Sequence, residues 1–205
     1  MEHNELVEIK EKILKYKEEY GERSFLDNFE EDILELDNCF LSYVLSVYFY
    51  TSKKSKHQEV IVKSKNIDIN YLFAKNVSDI DVSKNGKVIL ESLDVKYNYL
   101  FARDVKVKDK EPFAKVVLES FNTDYIYLFA LSVPEVDKVP FINNLLKQGR
   151  YDLISNLQNY IKKDDRFLKY IASLNVITIF NEEKKQKYDE DTEKIREELS
   201  RLKTK

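Results

Sequence analysis

The chain has 205 residues, with only 3 glycines and 3 prolines where average usage predicts roughly 14 and 10. That shortage excludes turn-rich β-sandwiches and barrels, and it excludes folds that cradle phosphate on glycine-rich loops. The formal net charge of −3 is unevenly spread: residues 1–38 hold 13 acids and 5 bases, while residues 39–180 hold 16 acids and 21 bases.

Residues 4–20 place Leu6, Ile9, Ile13, Tyr16 and Tyr20 at alternating spacings of three and four, a heptad seam on a helix. Gly21 stands where a left-handed glycine would end that helix. Such a seam can pack on its own chain, cap the array that follows, or pair between protomers. Residues 1–30 are therefore read as an acidic helical cap. Glu30, Glu31, Asp32 and Glu35, at its junction with the array that follows, are candidate contacts for a basic partner. Thr51–His57 (TSKKSKH) is polar and reads as a loop.

The clearest feature lies further on. The segments 59–77, 87–105 and 115–133 align without gaps at a period of 28. Val60/Val88/Val116, Ser64/Ser92/Ser120 and the block Tyr-Leu-Phe-Ala (71–74, 99–102, 127–130) are identical in all three, and Asp81/Asp109/Asp137 recur at one column. Looser copies at 31–49 and 143–161 extend the array to residues 31–161, with clear units at 59–86, 87–114 and 115–142. Each unit reads as two short helices. The first is typified by Lys87–Leu93. The second starts after Asn66, Asp94 or Asn122, side chains that can accept from the free N–H groups of a first turn. In the middle unit Tyr97, Leu100, Phe101 and Val105 form one helical stripe, whereas strand alternation would separate Leu100 from Phe101. One such unit cannot bury its stripe alone, so neighbours must stack. The expected fold is all-α: an α-solenoid of short helix pairs, HEAT- or tetratricopeptide-like in architecture, with flanking helices. Pro112 and Pro140 precede or open first helices at equivalent columns.

Residues 162–205 are read as C-terminal helices. Asn175–Phe180 (NVITIF) suits a strand or a helix end equally. Tyr188, Thr192, Ile195, Leu199 and Leu202 make a second, charged heptad seam, a coiled-coil segment through which 182–203 could form a homodimer.

Catalytic chemistry finds little footing. The two histidines, His3 and His57, sit in polar segments, and general-base chemistry near neutrality usually recruits histidine. Cys39 lies in an apolar run and reads as a structural thiol. No zinc-ligand spacing, EF-hand loop or phosphate loop occurs, and no metal or cofactor is expected. The Asp81/Asp109/Asp137 column reads as helix caps rather than a carboxylate row for metal or basic partners. The Tyr71/Tyr99/Tyr127 column reads as interior packing rather than a base-stacking ladder. Lys53, Lys54, Lys56, Lys63 and Lys65, with His57, form a basic patch that could meet phosphate or an acidic partner. Arginine is scarce there and aromatics are not interleaved. No apolar run is long enough for a membrane span, and the acidic N-terminus lacks the apolar stretch of a signal peptide, so a cytoplasmic protein is expected.

The units resemble a class of short helical repeats with a YLFARDV-like core in proteins of low-GC bacteria and their phages, best matched here by Tyr99–Val105. The resemblance implies no activity. These readings point to a non-catalytic protein-binding module. Its composition and resemblance would suit a phage or mobile-element inhibitor of a host defence complex. The alternative is a nucleic-acid-binding repeat protein using the 53–65 patch. An enzyme reading, such as a HEAT-like base-excision glycosylase, lacks the tryptophan that lines many such pockets.

Overall fold

The computed structural model describes residues 3–133 and 135–160, together with 182, 186, 187, 190 and 194. Eleven helices lie among the described residues, and no strand. They are α1 (His3–Tyr20), α2 (Glu22–Glu35), α3 (Cys39–Tyr48), α4 (Lys54–Ser64), α5 (Ile67–Asn76), α6 (Val82–Ser92), α7 (Val95–Asp104), α8 (Glu111–Glu119), α9 (Thr123–Ser132), α10 (Val139–Lys147) and α11 (Tyr151–Tyr160). The chain divides into two compact units, Met1–Ser120 and Phe121–Lys205. The first holds α1 to α8, and the described part of the second holds α9 to α11.

The 28-residue period is carried by backbone hydrogen bonding as well as by composition. Helices α3, α5, α7, α9 and α11 begin at residues 39, 67, 95, 123 and 151. The residue two before each start is left-handed: Asp37, Lys65, Leu93, Phe121 and Gly149, with φ of 49°, 53°, 54°, 55° and 68°. In the three clear units this sharp corner is closed by the recurring serine. Ser64 Oγ donates to the Ile61 carbonyl at 2.7 Å and accepts from Asn66 N, and Ser92 Oγ does the same with Ile89 and Asp94 N. The residue after the left-handed one caps the second helix. Asn66 accepts from Ile69 N and Asp94 from Tyr97 N, each at 3.0 Å; Asn38 caps α3 and Asn122 caps α9 in the same way. Each aspartate of the recurring column accepts from the N–H two residues on: Asp81 from Ser83, Asp109 from Glu111 and Asp137 from Val139, all at 3.0 Å. Pro112 and Pro140 sit in the first turns of α8 and α10, where no backbone donor is needed.

In the first unit each first helix packs on the next, α2 on α4, α4 on α6 and α6 on α8. The second helices do likewise, α3 on α5 and α5 on α7. The Tyr-Leu-Phe-Ala block lies in the second helices. Phe73 and Phe101 are fully buried, and Ala74 and Ala102 are buried beside them. Burying a phenylalanine side chain contributes about 2 kcal/mol of transfer free energy, so this column is a main source of stability. In the second unit α9, α10 and α11 pack on one another, with Phe129, Phe141, Ile154 and Leu157 in their core. The α1 seam packs within the chain: Ile13, with Leu6, Ile9 and Tyr16, joins Phe25, Ile33, Leu41, Leu45 and Phe49 in one cluster of α1, α2 and α3.

Three expectations change. Lys54–His57 is the first turn of α4 rather than loop, and His57 is completely buried. The first helices start earlier than apolar periodicity suggests, with α6 beginning at Val82 instead of Lys87, because the Asp81 cap sets the start. Helix α2 runs through the expected boundary between residues 30 and 31. The segments 175–180 and 182–203, with their strand-or-helix and coiled-coil readings, lie outside the described residues, apart from the five named above. Among the described residues no helix is long and apolar enough to cross a membrane.

Candidate functional site

The acidic and basic candidates meet where α2 packs against α4. Glu30 is buried. Its Oε1 accepts from Thr51 Oγ1 and lies 3.2 Å from His57 Nε2, and its Oε2 lies 3.3 Å from Lys53 Nζ. Lys53 also donates to Glu31 at 2.7 Å, and Lys56 stands 3.7 Å from the same carboxylate. The remaining lysines follow suit. Lys54 donates to the Ser78 carbonyl and faces Asp79 at 3.8 Å, Lys63 pairs with Asp37, and Lys65 lies 3.9 Å from Glu91. All five lysines of the patch thus stand opposite a carboxylate. Asp32 and Glu35 are exposed and, unlike Glu30 and Glu31, form no ion pair among the described residues.

Burial pushes the His57 imidazole below its ordinary value, against the opposing pull of Glu30, so the ring is neutral at pH 7 and Nε2–H donates to the carboxylate. With no exposure, the ring meets no solvent-borne substrate. The pair ties α2 to α4.

The next junction repeats the geometry with amides. Gln58 Nε2 donates to Asn85 Oδ1 at 2.6 Å, and Asn85 Nδ2 donates to Asn70 Oδ1 at 2.9 Å. Asn70 Nδ2 donates to the carbonyls of Ile61 and Asn66. Glu30 and Gln58 occupy one column, and His57 and Asn85 another. Sequence reasoning missed this network because its members are 15 and 27 residues apart and differ in type from unit to unit.

The tyrosine column is engaged within the array. Tyr71 and Tyr99 are buried to 7% and 4% exposure. The Tyr71 hydroxyl donates to Asp104, which also accepts from Lys75 at 2.9 Å and from Arg103 at 2.6 Å; Arg103 reaches the Tyr99 hydroxyl at 3.0 Å. Arg103, then Tyr71 and Lys75, hold the Asp104 carboxyl far below the usual carboxylate range. The Tyr71 hydroxyl ties α5 to α7, and the buried Tyr71 and Tyr99 rings leave no free face for a base.

An apolar surface lies open at the N-terminal helices. Helices α1 and α2, joined through Gly21 alone, flank an apolar groove of about 320 Å³. Ile9, Ile13 and Tyr16 line it from α1, Phe25, Phe29 and Ile33 from α2, Leu36 from the α2 C-cap and Leu41 from α3; Lys12 and Asp32 are its charged members. Tyr16 meets Phe29 edge-on at 5.3 Å, yet Phe29 stays 38% and Leu36 58% exposed. The spacing of Phe25, Phe29, Ile33 and Leu36 was available in the sequence as a sign of an apolar face on α2.

Among the described residues no group of three or more His, Cys, Asp or Glu side chains is arranged to hold a metal. Comparison with protein-family models, curated proteins and solved structures finds no match for this chain.

Proposed function

We propose that the protein is a non-catalytic protein-binding module whose first unit is an α-solenoid of short helix pairs. The observation that carries this reading is the apolar groove between α1 and α2. Folding leaves Phe29 and Leu36 in water there, while the neighbouring charges of α4 are matched within the chain. Apolar patches rimmed by polar residues mark interaction surfaces. The pairing of Lys53, Lys54, Lys56, Lys63 and Lys65 with carboxylates favours a protein ligand over nucleic acid, because little uncompensated positive charge is left for counterion release. That the partner belongs to a host defence complex rests on composition and resemblance. Affinity capture with the full chain at physiological salt tests the reading. A stoichiometric protein partner is expected, and recovery of none counts against it. Oligonucleotide retention lost on Lys53→Glu, Lys54→Glu and Lys56→Glu would favour the nucleic-acid alternative.

A further inference from the structure

We propose that the groove between α1 and α2 receives a basic amphipathic helix of a partner protein; this rests on the protein-binding reading above. Three observations converge on that occupant.

The first is shape. The α2 wall from Phe25 to Leu36 spans three helical turns, about 16 Å at 1.5 Å per residue. That length matches a helix presenting anchors at i, i+3 or i+4, and i+7, the usual way a helix lies in an apolar groove. The second is chemistry. The walls are aliphatic and aromatic, and Tyr16, Phe25 and Phe29 already pack ring against ring at 5.2 to 5.6 Å, so the anchors must be apolar.

The third is charge, which selects among apolar occupants. Residues 1–38 carry 13 acids against 5 bases. Asp32 lines the groove and Glu35 lies one turn further along α2. Both are exposed and, among the described residues, without an ion pair, whereas Glu30 and Glu31 are spent on Lys53, Lys56 and His57. Lys12 is the groove's one lining cation. A second copy docking through the same face would bring two acidic ends together, and nucleic acid or an anionic membrane would meet repulsion. A helix with lysine or arginine flanking its apolar stripe meets opposite charge instead.

The test uses the full chain and three labelled synthetic peptides of about 18 residues, a length that spans the groove with helix to spare. One carries leucines spaced three and four apart with lysine elsewhere, the second replaces the lysines by glutamate, and the third scrambles the lysine peptide so that no stripe remains. By fluorescence anisotropy, the lysine stripe peptide is expected to bind one to one and to weaken as salt rises. The other two should bind at least tenfold more weakly. The double variant Asp32→Lys, Glu35→Lys should reverse the order of the two stripe peptides, and Leu36→Ser should weaken both. Circular dichroism confirms that each variant is folded. The proposal is overturned if the lysine stripe peptide does not bind, if its scrambled form binds equally, or if neither variant alters binding. A cellular partner captured undiminished by Asp32→Lys, Glu35→Lys would also overturn it, while leaving the protein-binding reading intact.

Discussion

Where α4 meets α6, Gln58, Asn85 and Asn70 make a closed chain of buried amide hydrogen bonds. Where α6 meets α8, the same three columns hold Gly86, Phe113 and Asn98. There Phe113 stacks on Phe101 at 5.2 Å, and Gly86 makes room for it: a Cβ at residue 86 would stand 3.2 Å from Phe101 Cε1 and 3.4 Å from Phe113 Cζ. Asn98 still bonds the Ile89 carbonyl at 3.2 Å, but its Oδ1 has lost the donor that Asn85 supplies to Asn70, and it is buried with no partner. One backbone scaffold therefore accepts two chemistries. The amide junction is directional, since a one-residue slip of register would strand several buried polar groups. The aromatic junction depends on shape and on the missing side chain of Gly86. In the second unit the replacement is complete: Phe129 stacks on Phe141 at 5.1 Å, and Ile126 and Ile154 stand fully buried in the column of Asn70 and Asn98.

This contrast can be broken by mutation. The largest effect is expected at the aromatic junction, where Phe101→Ala removes a fully buried ring and its stack and should cost about 3–5 kcal/mol in denaturant unfolding. Next comes Asn70→Ile, which leaves the Asn85 amide without an acceptor and should cost about 2–4 kcal/mol. If Asn70→Ile proves as mild as the apolar residues at Ile126 and Ile154 suggest, the amide network is not a specificity device.

The His57 junction sharpens the comparison through pH. Burial lowers the imidazole below its ordinary 6.5, while Glu30 and Glu31 oppose that shift and Lys53 adds to it. Above 6.5 the ring is neutral in folded and unfolded chains alike, and its contribution is complete. Below 6.5 the unfolded chain takes a proton that the folded site resists, so stability falls with pH until the buried ring is protonated as well. The melting temperature of the wild-type chain should fall more steeply between about pH 7 and 5 than that of His57→Asn, which puts the Asn85 residue type at this column. Equal slopes would show that the ring does not titrate against folding.

Smaller still is Asn98→Ile, expected to change stability by less than about 1 kcal/mol because it also removes an orphaned oxygen. Smallest is Lys65→Ala, whose pair with Glu91 is long and solvated and should leave the melting temperature unchanged.

Much of the architecture was legible in the residues. The Tyr-Leu-Phe-Ala block gave the buried stripe of α5, α7 and α9. Asn66, Asp94 and Asn122 marked the starts of those helices, and the aspartate column marked the first helices. These signals act within one or two turns, where side chain and backbone share a fixed local geometry. His57 was misread for the converse reason. Its neighbours Lys53, Lys54, Ser55 and Lys56 are polar, and only Glu30, 27 residues upstream, makes its burial tolerable. Likewise Asp104 binds Tyr71, 33 residues away, in a neighbouring repeat.

The sequence by itself determined the helical repeat period of the described residues and the caps of the second helices, because helix initiation and stripe periodicity are encoded in residues a few positions apart. The tertiary structure alone decided which charges neutralise each other and which stay free. Glu30 and Glu31 face lysines and Asp32 and Glu35 do not because α4 packs along one side of α2 and leaves the other to solvent. It also decided that α1 folds back through Gly21 to leave an open groove, since a groove exists only between two helices and no single stretch of chain can describe one.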